Sequence, residues 1–250
     1  MDPAVSQLPL TGERTVPGIV EENYWFRRHE AAYLALRPYC VDAFVLEAGC
    51  GEGYGADLLA RDAVGVLGLD YDKLTLRHVA QVYPQVHTAR ANLAALPVRS
   101  STVDVVANFQ VIEHLWDQEG FLRECRRVLR PGSRLLVTTP NRITFSPGRD
   151  TPLNPFHTRE LAPAEMATLL RDTGFEVEFL AGLRHGPRLR ALDAEFGGSL
   201  IDAQVAVAVS GEPWPDELRD AVASVTAADF AITTDDLESS LDIVAVAVRP

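Results

Sequence analysis

The segment Phe44-Val45-Leu46-Glu47-Ala48-Gly49-Cys50-Gly51-Glu52-Gly53-Tyr54-Gly55 carries an apolar run into a cluster of glycines. Gly65-Val66-Leu67-Gly68-Leu69-Asp70 supplies a second apolar run that ends on a carboxylate. Glycines after a strand let the backbone turn sharply and approach a ligand closely, where any side chain would stand in the way. A carboxylate about twenty residues further on, at the end of the next strand, is placed to accept hydrogen bonds from two ribose hydroxyls. The two segments read as a nucleoside-binding site. In the register Gly51, Gly53, Ala56 the loop also satisfies a dinucleotide fingerprint, so the glycines by themselves leave the nucleotide open.

These residues need strands to carry them, and the apolar patterning supplies seven. They run over Phe44 to Ala48, Val64 to Asp70, Val86 to Asn92, Val103 to Phe109, Arg134 to Thr139, Phe175 to Leu183 and Asp242 to Val248. Helices alternate with the first five, the pattern of a doubly wound α/β sheet. Residues 1–20 are rich in Pro, Gly and Thr and read as an irregular arm, followed by an amphipathic helix over Glu21 to Arg37. The expected organisation is a single domain over 1–250: an N-terminal cap (1–40), a cofactor-binding core (41–183), a helical insertion (184–238) and a last strand (239–250). Helical patterning in the insertion is concentrated around Leu200 to Val209 and Glu217 to Val225, and the insertion either covers an acceptor site or forms a homodimer interface. Pro140 to Arg159 has no clear periodicity. A long irregular stretch beyond the carboxyl end of a central strand belongs at the mouth where such sheets bind ligands.

Composition narrows the function classes. With 250 residues and 47% apolar content the chain is long enough for one well-cored domain and is not disordered. A formal net charge of −12 argues against a nucleic-acid partner, which would favour a basic face. Cys40, Cys50 and Cys125 are too few and too scattered for a disulfide framework and read as reduced thiols. No apolar run of about 18 residues and no signal-peptide pattern is present, so a cytoplasmic location without membrane attachment is expected.

Five motifs in order over residues 44–140 resemble those of Rossmann-like, class I S-adenosylmethionine-dependent methyltransferases. Val45 to Gly53 resembles the first and Gly68 to Asp72 the second. Asn92 to Pro97 with Ser101 to Val106 is similar to the adenine-contacting turn and fourth strand, Phe109 to Leu115 to the helix start after it, and Val128 to Gly132 to the turn before strand five. The resemblance implies strand order 3-2-1-4-5-7-6 with the last strand antiparallel, an N-terminal lid segment, and S-adenosylmethionine as cofactor. It assigns cofactor contacts to Glu47, Gly49, Gly51, Gly53, Asp70, Tyr71, Asn92, Leu93, Phe109 and Gln110, and to Arg28 as partner of the methionine carboxylate. Asn92 stands where the family usually has Asp; its amide oxygen can still accept from the adenine amino group.

Methyl transfer from a sulfonium needs alignment and exclusion of water, and an oxygen acceptor also needs a base. Histidine, with an unperturbed pKa of about 6.5, suits that task, and His157 in the mouth loop is the first candidate. Glu113 and His114 form a second constellation, because Gln110 to His114 is similar to the Glu-x-x-Glu-His of metal-dependent methyltransferases. Gln110 replaces the first Glu there and binds a hard cation poorly; with His157 the pair makes a candidate set for Mg2+, although nitrogen donors suit that ion poorly. Arg149, Asp150 and Asn154 are candidate acceptor contacts, with an ion pair between Arg149 and Asp150 as the alternative. Trp25, Trp116 and Trp214 are either sugar platforms or core. Thr11 to Gly18, Glu22 to Glu30, Thr139 to Arg142 and Asn154 to Leu161 look like actinobacterial sugar O-methyltransferases. This resemblance implies a small saccharide acceptor, such as the 1-hydroxyl of a mannoside in polymethylated polysaccharide synthesis. Methylglucose lipopolysaccharide and a phenol or quinone are the alternatives.

Overall fold

The computed structural model describes residues 15–250, so the expectations for 1–14, including Thr11 to Arg14, lie outside the described residues. The chain opens with α1 (Asn23–Leu36), then alternates β1 (Phe44–Ala48), α2 (Tyr54–Ala60), β2 (Gly65–Asp70), α3 (Lys73–Val82) and β3 (Val86–Arg90). The second half of the core is β4 (Val103–Phe109), α4 (Gln118–Val128) and β5 (Leu129–Pro140). A short α5 (Arg142–Phe145) starts the mouth loop, and α6 (Pro163–Asp172) and β6 (Glu176–His185) follow it. The insertion holds α7 (Pro187–Glu195), α8 (Leu200–Ser210), α9 (Asp216–Ala223) and β7 (Phe230–Thr233), and the chain ends on β8 (Asp242–Val248).

Side chains alternate across a strand, and here both faces are covered, which explains the near-continuous apolar strands. On β1, Val45 joins the core beneath α1 and α2, while Leu46 joins the core formed with α4 and α6; Val105 and Val106 of β4 divide the same way. The α4 helix buries Phe121, Leu122, Cys125 and Val128 on one face, and Asp117 caps its start by accepting from Gly120 N at 2.8 Å.

The sheet order is β3-β2-β1-β4-β5-β8-β6-β7, with β1 to β5 parallel and β8 antiparallel to both β5 and β6. The seven expected strands lie in the expected order, but the sheet has an eighth, β7, antiparallel to β6 at the edge. It falls inside the expected helical insertion (184–238), since four residues on an edge are too few to show an alternation. Helix α7 was likewise not anticipated. The Pro131-Gly132 turn lies inside β5 as a register shift opposite Val103 and Val105, and does not precede the strand. Strand order reverses between β1 and β4, where a crevice forms at the carboxyl ends of such sheets. Among the described residues no helix is long and apolar enough to cross a membrane.

Candidate active site

The chain leaves β1 through Gly49, Gly51 and Gly53, with φ of 90°, 46° and 85°. A Cβ on Gly49 would lie 2.6 Å from Val111 and one on Gly53 2.7 Å from Val79, whereas one on Gly51 would meet nothing within 4 Å. Gly49 and Gly53 are thus fixed by packing, and Gly51 presents bare backbone to open space. Asp70 ends β2 beside this loop; its Oδ2 accepts from Gly51 N at 3.1 Å and its Oδ1 from Asp72 N at 2.9 Å. Each carboxylate oxygen retains a second lone pair for a ribose hydroxyl. Tyr71 is exposed next to it. Asn92 is exposed, with Oδ1 turned back to accept from Ala94 N at 3.0 Å, and Leu93 is buried beneath it.

Glu47 is buried at the crevice floor. Its Oε1 accepts from Tyr33 Oη at 2.6 Å, while Oε2 has no hydrogen-bond partner among the described residues. Burial pushes its pKa up to about 8 against the Tyr33 hydrogen bond, which favours the carboxylate. Phe109 lies against Tyr33, ring centroids 4.5 Å apart. Gln110 follows it with φ of 57°, a left-handed conformation that is uncommon for a side chain of its kind, held by its N–H on Thr138 O at 2.9 Å. An open glycine backbone at Gly51 and a fixed carboxylate at the neighbouring strand end fit the nucleoside of S-adenosylmethionine.

Arg28 does not stand in the crevice as a carboxylate clamp. It is buried, with Nε on Asp242 Oδ2 at 2.7 Å, Nη2 on Asp242 Oδ1 at 2.5 Å and Nη2 on Leu241 O at 3.0 Å. The carboxylate it holds belongs to β8, and the pair fastens α1 to the sheet.

After β4 a single helical turn over 112–114 turns Glu113 inward and His114 toward the mouth loop. Glu113 is buried, its Oε2 accepting from Thr139 Oγ1 at 2.9 Å, and burial raises its pKa to about 8. The mouth loop is stitched to this turn by Thr158 N on Glu113 O at 2.7 Å and Thr158 Oγ1 on Leu115 O at 2.7 Å. His157 thereby meets the other two, and ligating atoms of Glu113, His114 and His157 all lie within 4.8 Å of one another. The sequence-predicted constellation does converge. His114 Nδ1 donates to Phe156 O at 3.0 Å, and His157 Nδ1 donates to Glu160 Oε1 at 2.7 Å. Both imidazoles therefore present Nε2 as the acceptor nitrogen. At His157 that nitrogen receives Asn154 Nδ2 at 3.1 Å, so Asn154, expected as an acceptor contact, occupies the position from which a hydroxyl would donate. Two imidazoles and one carboxylate suit a divalent transition ion; they do not suit magnesium, which favours an oxygen shell.

Glu160 was not anticipated. It is 3% exposed, orients His157 through Oε1 and has no partner for Oε2 among the described residues. Glu160 also borders a cavity of about 320 Å³, although its carboxylate is turned to His157 and has no exposed surface; Arg142, Arg149, Asp150, Arg159, Glu165, Ser146, Thr151, Thr158 and Pro152 complete the lining. Arg142 is bridged to Glu165 at 3.1 Å, but no ion pair joins Arg149 to Asp150 among the described residues. Asn108, also missed, is fully buried and donates to Ala48 O at 2.8 Å, tying β4 to β1 at the reversal point. An Asn inside an apolar strand run was its only signal. Trp25 and Trp214 pack against the core, and Trp116 is exposed.

Fold and site together define a Rossmann-like S-adenosylmethionine-dependent methyltransferase. The methyltransferase domain family matches residues 46–137. A protein of Mycolicibacterium smegmatis named "Probable S-adenosylmethionine-dependent methyltransferase" is 60% identical over 248 residues, 98% of this chain and 96% of its own. One of the same description from Mycobacterium tuberculosis H37Rv is 59% identical over 252 residues, 99% of this chain and 91% of its own. The chain belongs to the S-adenosylmethionine-dependent methyltransferases. A ubiquinone biosynthesis O-methyltransferase of Parvibaculum lavamentivorans is 28% identical over 168 residues, 61% of this chain and 66% of its own. In fold, the chain is similar to a Haloferax volcanii methyltransferase solved with its Trm112 activator, with a TM-score of 0.65 and 18% identity over 92% of each chain. It is also similar to the [4+2]-cyclase SpnF, with a TM-score of 0.58 and 21% identity over 89% of this chain and 80% of that one. Likeness to a cyclase marks the fold alone, since one fold hosts several chemistries.

Proposed function

We propose that this methyltransferase acts on a hydroxyl of a small saccharide, with His157 as the base. The carrying observation is the cavity beside the His157–Glu160 pair, whose lining residues are charged or hydroxylated apart from Pro152. A phenol or quinone would call for apolar walls around its ring, while a polyol is held by hydrogen bonds from arginines and carboxylates. S-adenosylmethionine, when bound, supplies the methyl group on a sulfonium centre. Asp70 holds the ribose, Gly51 lets the backbone approach, and the acceptor hydroxyl replaces Asn154 on His157 Nε2. Glu160 fixes the tautomer and steadies the imidazolium formed as the proton arrives, the orienting role a carboxylate plays in a hydrolase triad. The finer reading is the 1-hydroxyl of a mannoside, because an anomeric hydroxyl is acidic enough for an imidazole base, with methylglucose lipopolysaccharide as the related alternative. We place the reaction in the cytoplasm, in keeping with three buried free cysteines among the described residues.

In a second reading His157 Nε2 is a ligand in place of a base, and a divalent ion sits on Glu113, His114 and His157, favoured by their convergence and by the acceptors behind both imidazoles. One experiment addresses both: release of S-adenosylhomocysteine from S-adenosylmethionine with mannosides, glucosides and a catechol, with and without chelator. Turnover of a sugar is expected, with His157→Ala lowering kcat by roughly 10²- to 10⁴-fold while cofactor affinity is kept. Turnover of the catechol alone would overturn the saccharide reading, and activity unchanged by chelator would remove the ion.

A further inference from the structure

Trp116 is 93% exposed, while the residues on either side of it are fixed. Leu115 packs on the core and its carbonyl accepts from Thr158, and Asp117 caps α4. A rigid turn therefore holds an indole out into solvent. Phe156 is exposed as well, as are Ile143 and Leu153 elsewhere on the mouth segment 140–159. The segments bearing Trp116 and Phe156 are bonded to each other, through Thr158 Oγ1 on Leu115 O at 2.7 Å and His114 Nδ1 on Phe156 O at 3.0 Å. The segments that carry Trp116, Phe156 and the base His157 thus belong to one seam, and Thr158 of that seam lines the polar cavity.

The geometry points to Trp116 as the platform of a second acceptor subsite, which binds the sugar residue next to the one methylated, so that the enzyme takes an oligosaccharide in preference to a monosaccharide. This rests on the saccharide reading above. A pyranose ring has one face of C–H bonds and a rim of hydroxyls. An aromatic face matches the first, and a cavity of arginines, carboxylates and hydroxyls matches the second. A bilayer is the weaker occupant for this seam, since anionic headgroups would meet a chain of net charge −12. Preorganisation matters here as well, because a platform held by fixed backbone loses little freedom on binding.

The test compares mannose with a mannotetraose, each with a free reducing-end hydroxyl, as acceptors for the full chain and for Trp116→Ala and Trp116→Phe. The exposed position leaves folding of both variants intact. The tetrasaccharide should show the lower KM with the natural residue. Trp116→Ala should raise that KM by roughly three- to tenfold, the scale of one aromatic contact, and leave kcat and the monosaccharide KM in place, with Trp116→Phe between the two. Tryptophan fluorescence should also respond to mannotetraose without cofactor and lose that response in Trp116→Ala. Equal constants for all three proteins with an unchanged fluorescence response would overturn the subsite, as would a change in oligomeric state in place of a change in KM. Absence of turnover on either sugar by the unsubstituted protein is a different result; it overturns the saccharide reading itself.

Discussion

Asp70 shows how one carboxylate serves both the loop and the ligand. Its oxygens hold Gly51 N and Asp72 N, so it orders the glycine turn and keeps lone pairs for the ribose. Asp70→Ala should weaken S-adenosylmethionine binding by about 1–3 kcal/mol, the consequence of leaving polar partners unmatched. Calorimetry showing wild-type affinity would remove Asp70 from the cofactor site. Asp70 was legible because its distance from the glycines follows from local strand and helix lengths. Glu160 was not: it lies three residues after His157 in an irregular loop, and nothing in that spacing says whether two loop side chains will face one another.

At the scale of elements, the cap helix and the last strand are joined by the buried Arg28–Asp242 pair, across 214 residues of chain. Removing one partner of such a pair strands a buried charge. Arg28→Ala is therefore expected to lose about 3–5 kcal/mol of stability in chemical denaturation. The opposite pattern, intact stability with lost cofactor affinity, would return Arg28 to the methionine carboxylate. The strands over Phe44–Ala48, Val103–Phe109 and Asp242–Val248 match the sequence expectation to the residue because buried strands advertise themselves as apolar runs. The four residues of β7 advertise nothing, since their pairing depends on β6 already being at the edge.

The stability of the whole molecule should carry a pH signature from its buried titratable groups. Burial keeps Glu47 protonated in the folded state up to about pH 8, whereas the unfolded chain ionises it near 4.5. Between those values the unfolded state binds fewer protons, so stability falls as pH rises from about 4.5 to about 8. Glu113 acts in the same direction through the same window. His29 acts oppositely: burial lowers its pKa from 6.5 to about 4, so stability is lost as pH falls through that range. In Glu47→Gln the decline of the urea midpoint from pH 5 to pH 8 should be shallower, with the share from Glu113 remaining. Equal slopes in variant and parent would show that Glu47 ionises normally.

The sequence by itself determined the parts of this protein that depend on neighbours along the chain. These are the glycine turn, the carboxylate at the next strand end, the five parallel strands and the cofactor class they imply, because backbone dihedrals and apolar periodicity are local properties. Tertiary structure decided what depends on residues far apart: that His157 meets Glu113 and His114, that Glu160 rather than a cofactor group is its partner, and that Arg28 belongs to Asp242. It also left Trp116 in solvent where Trp25 and Trp214 pack inward. Side chains of one type carry the same local signal wherever they fall. Burial and partnership come only from the elements that fold against them.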